Sequence, residues 1–318
     1  MRKNFTVYVA LFVLSGLVFA YAGLITAMTV RAMKCNQSDR PEDAFVMYCN
    51  SVEFADYEHG AFFYEYEPKA IEYLKKADVV MLGTSRMMYA MTVDYSDKYM
   101  ASQGIKYYQF GFGYQQLSDF PLALIKRYRL NPKVLIVGAD PFFAHAPSGP
   151  AKGMLSGSIL SWLEYSAKRS GLMLSRTICA AVPDLCKRQG AALYRGYETG
   201  RWRMDSSPRH DTFTRNSDEV KDEQVERTAL VAEDFLSHLS TPKECIIFTG
   251  IPSPGFNPDF TARLAKRLGV VSINAIPSQL ASRDENHIDP ETALSWQKEF
   301  LPKALPVIKK CLAISEQH

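Results

Sequence analysis

Two short stretches hold residue types that could do covalent chemistry: Gly83-Thr84-Ser85-Arg86 and Asp284-Glu285-Asn286-His287. A serine hydroxyl is a poor nucleophile until a base takes its proton. An imidazole base in turn needs a third group to hold its tautomer and stabilise the imidazolium. Ser85, His287 and Asp284 supply these three types, with Asp284 and His287 three residues apart on one turn. A tight strand-to-helix turn at Ser85 would also aim backbone N–H groups at a developing negative charge. Each fragment has a plainer reading as well. Ser85 suits a helix N-cap, and Asp284 suits a cap beside a merely polar His287.

The elements around these stretches alternate. Ala77-Asp78-Val79-Val80-Met81-Leu82 is an apolar run ending at Gly83, and runs at 105–110, 133–137 and 245–249 end at Gly111, Gly138 and Gly250, with a weaker one at 270–273. Between them, 117–128, 222–239 and 260–268 carry apolar residues at helical spacings of three and four. Strand and helix in alternation, with near-continuous β-branched runs, predict an α/β fold: a parallel sheet with helices on both faces. Ligands bind such sheets beyond the carboxyl ends of the strands, where these glycines fall. Residues 142–215 interrupt the alternation and read as an insertion over that edge, with 159–174 as a helix.

In order along the chain there is a Gly-x-Ser after the first strand, glycines after the second, a Gly-x-Asp after the third and Asp-x-x-His before the last helix. This order resembles the SGNH, or GDSL-type, hydrolase superfamily over roughly residues 77–310. The resemblance implies a flavodoxin-like three-layer sandwich with Ser85 as nucleophile and Asp284 and His287 completing a triad. Ser85 and Gly111 or Gly113 would donate backbone N–H groups to the oxyanion. The third block departs from the family's usual Gly-x-Asn-Asp. It reads Gly138-Ala139-Asp140-Pro141, so the side-chain amide donor is missing. Losing one such donor costs on the order of a hundred- to a thousandfold in rate. A first block of this kind with Val-Gly-x-Asp-Pro-Phe resembles the membrane-anchored branch near exopolysaccharide acylation machinery.

Arg86 and Asp140 are the candidate substrate-binding residues, Arg86 through a planar fork suited to a carboxylate or phosphate. Arg195, Arg201 and Arg203 with Tyr194, Tyr197 and Trp202 resemble a carbohydrate-facing surface, although packing of the folded loop is the favoured reading. His145 and His210 lie in the insertion without an evident partner. The alternating charges of 218–226 suit a solvated helix face.

From Phe5 to Val30 runs a stretch of 26 residues without a charge, and roughly 20 suffice to cross a bilayer. Arg2 and Lys3 precede it, Arg31 and Lys34 follow, and the α-amino group tips the N-terminus toward the cytoplasm. Residues 1–34 are therefore expected to be a membrane anchor, with a cleavable signal ending near Ala20-Tyr21-Ala22 as the alternative. Residues 35–70 then read as a membrane-proximal linker that packs on the body, and 71–318 as the α/β domain. This puts the protein in the inner membrane as a single-pass chain with its body in the periplasm. Six cysteines suit an oxidising compartment, and sequence proximity favours Cys35–Cys49 and Cys179–Cys186, leaving Cys245 with Cys311. No short Cys/His cluster points to a metal, and the resemblance calls for no cofactor. Lys+Arg 37 against Asp+Glu 34 gives a net +3, too even for a nucleic-acid partner.

The expected activity is serine acyl transfer on an envelope or secreted polysaccharide, as an O-acetyltransferase or acetylesterase. A transferase would need a multispanning membrane protein as acyl donor. The alternatives are a non-catalytic polysaccharide-binding or assembly subunit and a lipase or thioesterase on membrane lipids.

Overall fold

The computed structural model describes residues 2–35, 41–49, 54, 56–113, 117–143, 149–186, 192–204, 210–214, 219–254 and 256–315. The first third of the chain forms α1 (Arg2–Met33), β1 (Ala44–Cys49), α2 (Tyr57–Phe63), α3 (Pro68–Lys75), β2 (Val79–Leu82), α4 (Ser85–Ala90), α5 (Tyr95–Ser102) and β3 (Tyr107–Gln109). The middle forms α6 (Asp119–Tyr128), β4 (Val134–Gly138), α7 (Ala139–Phe142), α8 (Gly149–Leu155), α9 (Ile159–Ala181), β5 (Ala192–Gly196), β6 (Trp202–Met204) and β7 (Asp211–Thr212). The remainder forms α10 (Asp222–Ser237), β8 (Ile246–Thr249), α11 (Pro258–Leu268), β9 (Val271–Ser272), β10 (Ala281–Ser282) and α12 (Pro290–Ser315).

Five strands make one parallel sheet in the order β3-β2-β4-β8-β9. Numbered within the sheet this is the order 2-1-3-4-5 of doubly wound folds, with its switch point between β2 and β4. Side chains alternate across the pleat and divide the core in two. Val79, Met81, Val134, Ile136 and Ile247 face one way, where Met87, Met100, Trp296 and Phe300 of α4, α5 and α12 cover them. Val80, Leu82, Leu135, Val137 and Phe248 face the other, against Leu124, Ala229 and Leu264 of α6, α10 and α11. Neither face reaches water, which is why these strands read as unbroken apolar runs.

The described residues of 35–70 pack on the body, as expected of this stretch, and also add a strand and helices to it. Strand β1 pairs antiparallel with β5, which pairs with β6, and this three-stranded sheet joins the β3 edge through the Gln109 N–H to the Thr199 carbonyl at 2.8 Å. Helix α2 buries Tyr57, Glu58, His59 and Phe62 beside it. Two expected disulfides are present, Cys179–Cys186 and Cys245–Cys311. The second closes 66 residues between the start of β8 and the end of α12, a loop long enough to contribute about 4 kcal/mol by chain entropy. Cys35 is also disulfide-bonded. Its expected partner Cys49 has a side chain outside the described residues.

Val7–Met33 is, among the described residues, the one helix long and apolar enough to cross a membrane. Its side chains from Val7 to Ala20 are exposed, whereas Met28 and Ala32 are buried against the body.

Candidate active site

Strand β2 delivers the chain to Gly83, where a Cβ would sit 2.5 Å from the Cβ of Met87, so the turn into α4 closes only on glycine. Thr84 is the N-cap of α4, its hydroxyl accepting from the Arg86 N–H. The capping role thus falls to Thr84, and the Ser85 hydroxyl is left for another partner. The same division of labour occurs at the other stretch. Asp289 caps α12, accepting from the Thr292 N–H at 2.8 Å, and Asp284 is not at a helix start.

His287 sits in a tight loop closed by the Arg283 N–H to the His287 carbonyl at 2.9 Å, with Ser282 bridged to Ile288. Asp284 Oδ1 gathers the loop, accepting from the N–H groups of Asn286 at 3.2 Å and His287 at 3.0 Å. Glu285, at the tip, holds φ +67°, a left-handed conformation uncommon outside glycine and concentrated at functional sites. The loop presents the imidazole edge-on: Nδ1 lies 2.9 Å from both carboxylate oxygens of Asp284, and Nε2 lies 2.8 Å from Ser85 Oγ. The network assigns the proton to Nδ1, donated to Asp284, and leaves Nε2 to accept from the Ser85 hydroxyl. Residues 202 positions apart meet here at the switch point of the sheet.

Electrostatics keep the imidazole neutral. Burial lowers the His287 pKa from 6.5; hydrogen bonding and charge from Asp284 oppose this, while Arg86 and Arg283 reinforce it. For Asp284, partial burial pushes its pKa up, but the hydrogen bond and charge of His287 and the two loop N–H groups outweigh it and hold the carboxyl below 3.8. A neutral base beside an ionised carboxylate is the arrangement a serine nucleophile requires.

The ring of Tyr89, one turn beyond Ser85 on α4, packs against His287 with centroids 4.1 Å apart. Trp202 meets Tyr89 edge-on at 5.6 Å, and the Arg283 guanidinium covers it at 4.9 Å. Sequence reasoning missed Tyr89, although its i, i+4 spacing from Ser85 places both on one helix face.

The expected oxyanion donors part company. Gly111 abuts the turn from Gly83 to Ser85 so closely that a Cβ would lie 2.7 Å from the Gly83 carbonyl oxygen. The N–H groups of Ser85 and Gly111 carry no hydrogen bond among the described residues. Gly113 is a correction. Its N–H donates to Glu58 Oε1 at 3.1 Å and is not available to a substrate. The other oxygen of Glu58 holds Arg195 at 2.7 Å, and Arg195 also donates to the carbonyls of Gln109 and Gly111. This ion pair is fully buried and fixes the loop from Gln109 to Gly113.

That burial agrees with the loop-packing reading of 194–203 and not with a carbohydrate-facing surface. Arg195, Tyr194 and Trp202 are buried, Arg201 pairs with Asp97, and Arg203 pairs with Asp43. Arg86 directly follows Ser85 on the first turn of α4, which places it at the site, and its charge adds to the lowering of the His287 pKa. Asp140 falls in α7 after β4, but its side chain, like all of His145, lies outside the described residues. His210 pairs with Asp289 at 2.5 Å. With Glu291 these two form the one group among the described residues spaced closely enough for a cation, and the capping of α12 already engages Asp289.

Compared with protein-family models, curated proteins and solved structures, the chain matches none of them.

Proposed function

We propose that this chain is a membrane-tethered, SGNH-type serine acyl-transfer enzyme that moves or removes acetyl groups on an envelope or secreted polysaccharide. The observation that carries the reading is the line from Asp284 through His287 to Ser85, with both contacts of the imidazole at hydrogen-bond length. The order of the blocks along the chain adds the family resemblance. The apolar α1 and the disulfides fit an anchored body on the oxidising side of a membrane.

In this mechanism His287 takes the Ser85 proton as Oγ attacks the ester carbonyl. Asp284 stabilises the imidazolium that forms. The N–H groups of Ser85 and Gly111 receive the oxyanion. His287 returns the proton to the departing alcohol, leaving an acetyl-serine, and water or a sugar hydroxyl then resolves it by the same steps in reverse. A transferase takes its acetyl group from a membrane-embedded donor protein; an esterase transfers it to water.

One observation favours a second reading, a non-catalytic polysaccharide-binding or assembly subunit. Gly113 is engaged by Glu58, and Asp140 stands where the family has an amide donor, so fewer oxyanion donors remain. Ser85→Ala separates the two. The enzyme reading predicts loss of polymer O-acetyl groups, or of acetyl-ester turnover, by NMR. If S85A retains wild-type acetylation while deletion of the gene abolishes it, the subunit reading stands instead.

A further inference from the structure

Helix α9 lies along α1. Gly171 makes the contact possible, since a Cβ there would sit 2.7 Å from the carbonyl carbon of Met28 and 2.9 Å from the Thr29 nitrogen. Small residues let helix backbones approach in this way. Nearer the start of α9, Ser166 hydrogen-bonds the Tyr66 hydroxyl at 2.6 Å. Tyr66 and Tyr21 both pack, half-buried, against the core cluster that holds Met28 and Tyr165, and Tyr21 adds to the rise that burial gives the pKa of the Tyr66 phenol. Ser166 near Tyr21 and Gly171 at Met28 make the two helices run in the same direction. The start of α9 therefore falls beside the part of α1 that precedes Tyr21, where the side chains from Val7 are exposed.

Length makes this placement informative. The 32 residues of α1 span about 48 Å, against a hydrocarbon core of about 30 Å. The segment from Tyr21 to Met33, packed on the body, is the surplus, which sets the membrane boundary near Tyr21. At that level the chain exposes Ile159 (64%), Leu160 (72%) and Trp162 (45%), with Leu155 of α8 next to them in sequence. The first five residues of α9, Ile159 to Leu163, carry no charge; farther along, Glu164 and Lys168 lie on the opposite side from Trp162, and Arg169 and Arg176 share its side only two and four turns beyond it. Tryptophan prefers the bilayer interface, and the exposed Lys152 of α8 suits an anionic headgroup.

We propose that the start of α9, with Leu155, is seated in the headgroup–acyl boundary of the leaflet that α1 leaves, as a second membrane contact. The proposal rests on the anchor reading of α1. One spanning helix leaves the body free to swivel; a second contact fixes its tilt over the membrane.

Tryptophan fluorescence tests it on the full chain reconstituted into vesicles of phosphatidylcholine and phosphatidylglycerol. Of the three tryptophans, Trp202 and Trp296 are buried at 2% and 0% exposure, so Trp162 dominates any contact with quencher. The expected result is quenching by acyl-brominated lipid that is lost in Trp162→Phe, with aqueous iodide ineffective. Quenching by iodide instead overturns the proposal, as does shielding from both quenchers, which means that protein covers the face. Alkaline extraction of the same vesicles tells the failures apart. A chain retained in the membrane with Trp162 in water defeats this inference alone, whereas a chain released defeats the anchor reading with it.

Discussion

The imidazole of His287 rests on the ring of Tyr89, with centroids 4.1 Å apart and planes inclined by 36°. Asp284 fixes one edge of the imidazole and Tyr89 one of its faces, so ring position is set from two directions. Removing the ring removes both a wall and a shield from water. Tyr89→Ala is expected to lower kcat on an acetyl ester by about a hundredfold through misplacement of the base. Tyr89→Phe, which keeps the ring, should stay near wild type. Steady-state kinetics of the two variants check this, and equal losses would contradict a packing role.

The charge environment of His287 predicts a pH profile. With its pKa held below 6.5, the base is neutral through the neutral range, so activity falls only as pH drops through that lowered value. Arg86 contributes to the lowering, hence Arg86→Gln should move the acid limb of kcat/KM to higher pH. A limb that stays in place would show that Arg86 does not act on the base.

Asp284→Asn removes the charge that opposes the effect of burial and frees the wrong tautomer. A loss on the order of ten-thousandfold in kcat is expected, with little change in KM. Comparing the two constants distinguishes this from a folding defect.

Glu58 and Arg195 predict a stability effect remote from the chemistry. Both are fully buried, and Glu58→Gln leaves the Arg195 guanidinium without a countercharge. Breaking a buried pair of this kind costs about 3–5 kcal/mol. Chemical denaturation of the full chain in detergent measures it, and a change under 1 kcal/mol, typical of an exposed pair, would rule out the structural role.

His59 predicts how stability depends on acid. Complete burial lowers its pKa from 6.5 in the folded chain, with Glu58 and Asp56 only partly opposing. The unfolded chain therefore binds the proton first. The stability due to neutral His59 is full above 6.5 and is lost as pH falls from there toward the folded value. His59→Gln should flatten the melting temperature over that window.

How much of this was legible in the sequence follows from which forces act locally. Strands β2, β3, β4 and β8 show as apolar runs because both of their faces are buried, whereas the edge strand β9, with Ser272 exposed, gives the weakest run. Ser85, Asp284 and His287 stood out by residue type and order. What sequence could not give was the assignment of caps, since Thr84 and Ser85, or Asp284 and Asp289, are equally good cap residues until the fold selects one. Gly113 failed as an oxyanion donor for a similar reason. Its partner Glu58 comes from a stretch that reads as a linker packed on the body, and Arg195 from a loop whose packing partners no motif identifies. Such long-range polar pairing has no periodicity to reveal it.

The central claim is that Ser85 is a nucleophile activated by His287. A fluorophosphonate probe, which reacts covalently with activated serines, tests this on the purified full chain followed by peptide mass spectrometry. The predicted result is a single adduct on Ser85 that disappears in His287→Ala. An unmodified Ser85, or an adduct that forms equally well without the imidazole, would contradict it.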